Sequence, residues 1–182
     1  ILRTSLISKA EAYKIPPNWN AAFTLDNYIA ALRDNDFLFY FFNSFGIAII
    51  VTVIAVLVGA MGAYWMARFA KKKDFVKISV LLIQMIPPVV LIIPFSMLIS
   101  KVKLNDTWTA LIITYMSFTL PYALWMLVGF FEGIPKELDE AATIDGCTQM
   151  QTYFKVVLPL AMPGIMATAV YSFIVSWNEF MY

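Results

Sequence analysis

The chain has 182 residues, 61% of them hydrophobic, with a mean hydropathy of +0.75 and a formal net charge of +1. That apolar share exceeds the ~45–50% of soluble domains and is more than the interior of so short a soluble chain could hide, so lipid is the expected solvent, and the near-zero charge gives no reason to expect nucleic acid. Histidine is absent, Cys147 stands alone and no GxxxxGK[ST] run occurs, which excludes Ser–His–Asp triads, HExxH zinc sites, cysteine cages, an internal disulfide and ATP binding by that loop.

Four stretches carry no Asp, Glu, Lys or Arg: residues 37–67, 78–100, 107–131 and 156–178. Each exceeds the ~20 residues that cross ~30 Å of hydrocarbon as a helix. Helix is required because lipid offers no partner to bare backbone N–H and C=O groups. The expected fold class is therefore all-α, a polytopic helical membrane protein. Its spans fall near 38–67, 76–99, 107–131 and 160–182, with an extracytoplasmic loop over 1–36 and a cytoplasmic loop over 132–157. The opening residues show no charged n-region followed by an apolar h-region, so no signal peptide is expected among them.

Residues 1–36 are polar and mixed in charge, with Pro16-Pro17. A short helix is expected within Asn20 to Arg33, opened by Thr24 with Asn27 three residues on as an imperfect cap. In the first span Ala55, Gly59, Ala63 and Ala67 recur every four residues, with Ser44, Ala48, Thr52 and Ala60 on a neighbouring face. Small residues at that spacing let another helix approach closely.

Arg68, Lys71, Lys72, Lys73 and Lys77 then crowd one short turn. Short basic loops stay cytoplasmic, which puts the start of the chain outside, loop 101–106 outside and loop 132–157 inside. Over the whole chain this topology places seven Lys/Arg inside and six outside, so the dense turn carries the assignment. Aromatic residues agree: Tyr40, Trp108, Trp177 and Tyr182 fall at the outer edge, and Tyr64, Trp65 and Trp125 near the inner one.

The second span contains Gln84, Pro87, Pro88 and Pro94. Proline removes a donor and clashes with the preceding turn, so this helix should bend or unwind. Irregular backbone at membrane depth is tolerated only against protein or a wet cavity, which makes Gln84, Pro87 and Pro88 candidates for a translocation pathway. The alternative for Gln84 is a hydrogen bond between helices. The third span carries Thr114, Ser117, Thr119 and Pro121. Its hydroxyls are expected to bond the carbonyls that the proline frees, giving a hinge at Pro121, or else Ser117 and Pro121 contact the solute. At the far end Asn178 and Glu179 either terminate the helix at the interface or line the solute's entry.

The 132–157 segment reads as two short helices. Pro135 suits a first helical position, and Glu137, Asp139 and Glu140 place negative charge where the helix dipole favours it. Asp145-Gly146 breaks the first helix. Thr148 with Gln151 makes a capping box for the second, expected to run to Leu158 and stop at Pro159.

Glu140-Ala141-Ala142, Gly146 four residues after Ala142, and Leu158-Pro159 before the next apolar run resemble the EAA motif of bacterial ABC importer permeases. Asp145-Gly146-Cys147-Thr148, Gln84-Met85-Ile86-Pro87-Pro88 and Trp177-Asn178-Glu179-Phe180 look most like the sugar-uptake branch, the maltose and multiple-sugar permeases. Ile15-Pro16-Pro17-Asn18-Trp19 with Thr24 to Tyr28 resembles their first external loop. The resemblance implies one helix before residue 1 and at least one after residue 182, six spans in all, in a bacterial inner-membrane subunit. It implies that Glu140, Ala141, Ala142, Asp145, Gly146, Leu158 and Pro159 couple the subunit to an ATPase dimer. The other implied partners are a second, different permease chain, an external solute-binding protein, lipid and a sugar or related solute. No catalytic, metal or cofactor-binding residue is expected in this chain, ATP–Mg belonging to the ATPase subunits.

Three other readings compete. An importer for amino acids, peptides or phosphate would share the Glu140 segment. An ion-coupled transporter or channel usually places ionisable groups within its spans, and the uncharged stretches here have none. A membrane enzyme would need a nucleophile–base pair that is missing.

Overall fold

The computed structural model describes residues 1–34, 36–70 and 73–179, apart from the side chains of Asp34, Lys73, Asp74 and Pro88. Lys71 and Lys72 of the basic turn, Phe180 of the terminal motif and Tyr182 of the outer aromatic belt lie outside the described residues. Every regular element among those described is helical. The chain divides into two units, Ile1–Phe45 and Gly46–Tyr182.

The first unit holds three short helices, α1 (Leu2–Ser5), α2 (Lys9–Ala12) and α3 (Asp26–Asp34). Ile7 is its one fully buried apolar side chain among the described residues, so polar ties do most of the holding. The Asn27 amide donates to the carbonyls of Ser5 (3.0 Å) and Ile7 (2.8 Å), and the Thr24 N–H donates to Leu6 O at 2.8 Å. Asn27 therefore staples α3 to the loop after α1 instead of capping α3. Thr24 Oγ1 accepts from the Asp26 N–H, two residues on (3.1 Å). The Arg3 guanidinium lies 4.6 Å from the Trp19 ring centroid. Hydrogen bonds from the Lys14 ammonium and then the Asn18 amide hold the Glu11 carboxyl below its ordinary pKa.

Next comes α4 (Phe37–Phe69), then α5 (Lys73–Gln84), α6 (Pro88–Lys101) and α7 (Trp108–Glu132). The small-residue stripe of α4 faces protein: Ala48, Thr52, Ala55, Gly59, Ala60, Ala63 and Ala67 are buried, whereas Ser44 is exposed. Leu57, Met61 and Trp65 on the other side are more than half exposed, as lipid-facing side chains should be. Ala60, Ala63, Tyr64 and Ala67 pack with Leu127, Val128 and Phe131 of α7 in the main core.

The second expected span is divided at Met85–Pro87, and its two halves meet at 91°. Among the described residues three helices are long and apolar enough to cross a membrane, four if this bent pair is one span. The backbone of α7 passes Pro121 without interruption. Its hydroxyls do not take up the carbonyl that Pro121 frees. Ser117 Oγ donates instead to Thr114 O (2.6 Å), one residue short of a full turn back, while the buried Thr114 and Thr119 hydroxyls have no partner.

The α7–α10 connection contains α8 (Glu137–Ile144) and α9 (Gln149–Thr152), and α9 leads into a π-helical turn at Tyr153–Val157 and then α10 (Leu158–Trp177). Two expectations are corrected here. Pro135 precedes α8 by two residues instead of opening it. Pro159 does not end a helix, because helix continues from Gln149 to Trp177. The wider π turn sits directly before Pro159 and relieves the clash its ring would make with a regular preceding turn. Farther along, α10 crosses α7 so closely that a Cβ on Gly164 would lie 2.3 Å from Phe130 Cγ.

Candidate functional site

Two regions gather the polar residues singled out in the sequence. The first is the α8 turn. Its acidic start, Glu137, Asp139 and Glu140, meets the positive end of the helix dipole. Its exit is a Schellman turn: the Gly146 N–H donates to Thr143 O (3.0 Å) and the Cys147 N–H to Ala142 O (2.9 Å). Gly146 adopts φ +83°, a region that a side chain opposes. Thr148 then opens α9 with a reciprocal capping box, its N–H donating to Gln151 Oε1 (2.8 Å) and its Oγ1 accepting from the Gln151 N–H (3.3 Å).

The residues of the motif do not share one surface. Glu140, Ala141, Asp145 and Gly146 are exposed, whereas Ala142 is 6% exposed and packs inward. Close approach of a partner is thus open to Ala141 and closed to Ala142. Leu158 and Pro159 form the first turn of α10, with Leu158 packed against the main core, and they take no part in the α8 turn. Conversely, Ile144 at the end of α8 is 86% exposed. The sequence reading passed over it because one apolar residue in a short helix has no periodic signal.

What fixes α8 to the spans is a polar cluster assembled across the fold. Asp139 Oδ1 accepts from the Tyr64 hydroxyl at 2.9 Å, and its Oδ2 lies 2.9 Å from Arg68 Nη2, which also donates to Ile134 O at 3.0 Å. The side chains of Arg68 and Asp139 are 4% and 19% exposed. Around them Tyr153 lies 4.9 Å from Tyr64, centroid to centroid. Sequence reasoning had used Arg68 only for topology and Asp139 only for the helix dipole. A second ion pair, Lys77 to Glu132 at 2.5 Å, joins α5 to the end of α7.

The second region is a cleft of about 310 Å³ beside the α5–α6 break. Gln84, Ser117 and Pro121 all line it, together with Leu91, Tyr122 and Tyr171. The last two rings stack at 4.0 Å between centroids. Gln84 Nε2 is buried without a hydrogen-bond partner. Pro87 caps the start of α6 and does not line the cleft, and Pro88 opens that helix. Asn178 and Glu179 also lie outside its lining, and the Asn178 amide donates to Ile174 O (2.9 Å), closing the end of α10.

A bundle of membrane-length helices with a structured turn between two of them defines a polytopic membrane subunit. The chain belongs to the family described as binding-protein-dependent transport system inner membrane component, whose model matches residues 55–182. It is a multi-pass protein of the inner membrane.

The chain is 38% identical over 183 residues to a sulfoquinovosyl glycerol transport system permease protein of Agrobacterium fabrum, a match covering 100% of this chain and 64% of that one. It is 42% identical over 160 residues to a trehalose transport system permease protein of Mycobacterium tuberculosis, covering 87% and 58% respectively. The chain thus spans about three fifths of the length of these relatives. Its fold resembles a chain in the crystal structure of a bacterial ABC transporter involved in the import of the acidic polysaccharide alginate. That match has a TM-score of 0.71 at 21% identity and covers 98% of this chain and 63% of the other.

Proposed function

We propose that this chain is a permease subunit of an ATP-driven, binding-protein-dependent importer that carries a carbohydrate across the cytoplasmic membrane by alternating access. The observation that carries the reading is the α8 turn. A rigid helix of eight residues, stopped by Gly146 and tied to α4 through Asp139, projects Glu140, Ala141 and Ile144 outward. The chain has no phosphate-binding loop, so work from ATP has to enter through a protein contact, and a short helix seated in an ATPase groove delivers it. Glu140 offers a carboxylate to a basic partner, and Ile144 offers apolar area.

Two ATPases, a second permease chain of different sequence and an external solute-binding protein complete the system. ATP–Mg sits on the ATPases, and their closure moves α8 and tips the spans between inward- and outward-facing states that differ in affinity for the partners. Solute passes the cleft at Gln84, Ser117 and Pro121. A carbohydrate is the favoured solute because the relatives above are named for sulfoquinovosyl glycerol and trehalose transport.

Ile144→Asp and Gly146→Pro test the docking helix. The first puts a charge into an apolar contact; the second removes the N–H that bonds Thr143 and forces φ to about −65°. Membrane level of the subunit, co-purification of the ATPase and uptake into vesicles supplied with ATP and binding protein are measured. Both variants should insert at the parent level and lose ATPase or uptake. Normal uptake by both would remove the docking reading.

A further inference from the structure

The covalent joints at both ends of α8 are turns: Gly133 to Lys136 before it, and Asp145 to Thr148 after it. A helix suspended between two turns transmits little motion through its backbone, because the turns can absorb a change of direction. Side-chain ties have to set its orientation, and they converge on one guanidinium. Arg68 Nη2 meets Asp139 Oδ2 and Ile134 O, so the end of α4, the strand of chain leaving α7 and the first turn of α8 are joined at a single group.

We infer that Arg68 and Asp139 are positioning residues whose ion pair acts as the strut carrying movement of α8 into α4. The inference rests on the docking reading above. Tyr64 stands four residues before Arg68 on α4, so both side chains lie on one face and grip the two oxygens of the same carboxylate. Inside α8, Thr143 Oγ1 donates to Asp139 O (2.8 Å), and Ala142 packs inward, which locks the gripped residue to the rest of the helix. Arg68 is almost wholly enclosed. Separating such a pair leaves an uncompensated charge and is strongly resisted. The two elements therefore move together, and displacement of α8 becomes displacement of a 33-residue helix that packs along α7.

The experiment uses the full-length subunit assembled in liposomes with its ATPase, second permease chain and binding protein. For Arg68→Ala, Asp139→Asn and Arg68→Lys, three quantities are read: ATPase retained, ATP hydrolysed and solute taken up. Uptake per ATP should fall about tenfold in the first two variants, the scale of an ordinary coupling between sites, with the ATPase still bound. Arg68→Lys, which keeps the charge, should retain most of the coupling.

Unchanged uptake per ATP in Arg68→Ala and Asp139→Asn overturns the inference. Loss of the ATPase from both also overturns it, because the pair would then build the docking surface. Arg68→Lys as uncoupled as Arg68→Ala overturns it too, since charge would not be what carries the effect. If Arg68→Ala fails to accumulate, Asp139→Asn, which preserves shape and an acceptor for Tyr64, gives the same readout. The docking reading fails separately, through Ile144→Asp and Gly146→Pro both retaining the ATPase and full uptake.

Discussion

In the α7–α10 connection Asp139 Oδ1, the Thr148 hydroxyl, the Gln151 amide oxygen and the carbonyls of Ala141, Ala142 and Thr143 accept hydrogen bonds from within the chain, and Asp139 Oδ2 faces Arg68 but, like the Thr152 hydroxyl, makes no hydrogen bond. In the cleft beside the α5–α6 break the Gln84 amide nitrogen and the Thr119 hydroxyl are buried with no partner. The contrast matters because a buried polar group left unpaired costs about 1–3 kcal/mol. The bonded exit of α8 and the capping box after it give that helix a fixed face. A mostly apolar cleft with a few unpaired polar atoms holds something polar only weakly, which is what the proposed passage of solute requires.

The largest perturbation that sharpens this comparison lies in neither region but between the helices that carry them. Gly164→Leu places its Cβ within 2.3 Å of Phe130 Cγ, and overpacking of that kind costs about 1–3 kcal/mol or more. The expected result is a sharp loss of membrane yield and of thermal stability in detergent, read by fluorescence-detected gel filtration. A parent-like profile would mean that α7 and α10 do not cross at this point.

Gln84→Leu should do less to the protein and more to the traffic. Removing an unpaired buried amide leaves assembly intact, yet uptake or solute preference should change when measured across a panel of sugars. Identical uptake of every solute would make Gln84 a packing residue and erase the distinction between the two regions.

The mildest test asks only which side of the membrane each region faces. With Cys147 replaced by serine, a cysteine at Asn105 should react with an impermeant thiol reagent in intact cells, and one at Lys136 should not. The opposite labelling would place the α8 turn outside, away from any ATPase.

Much of this was legible in the chain order of the residues. Uncharged stretches announced the long helices, the prolines after Gln84 announced the break, and Asp145-Gly146 and the Thr148–Gln151 pair announced the turn and cap. These features are local, set by lipid, ring geometry and one or two backbone angles. The helix through Pro159 was not legible, because a π turn that accommodates the ring leaves no compositional mark. The role of Asn27 beside the Thr24 opening was not legible either: its partners, the carbonyls of Ser5 and Ile7, lie some twenty residues away.

The sequence by itself therefore determined the class of protein, the presence of long apolar helices, the break in one apolar stretch and the existence of a helix–turn–helix between two of them. Those outcomes follow from the cost of exposing backbone and charge to lipid, which each segment meets alone. Only the tertiary structure decided that Ala142 turns inward while Ile144 turns outward, that Gln84, Ser117 and Pro121 share one cleft, and that Arg68 and Asp139, 71 positions apart, form a nearly enclosed pair. Contacts of that range depend on how helices are rotated and crossed, and rotation is settled by packing many side chains at once.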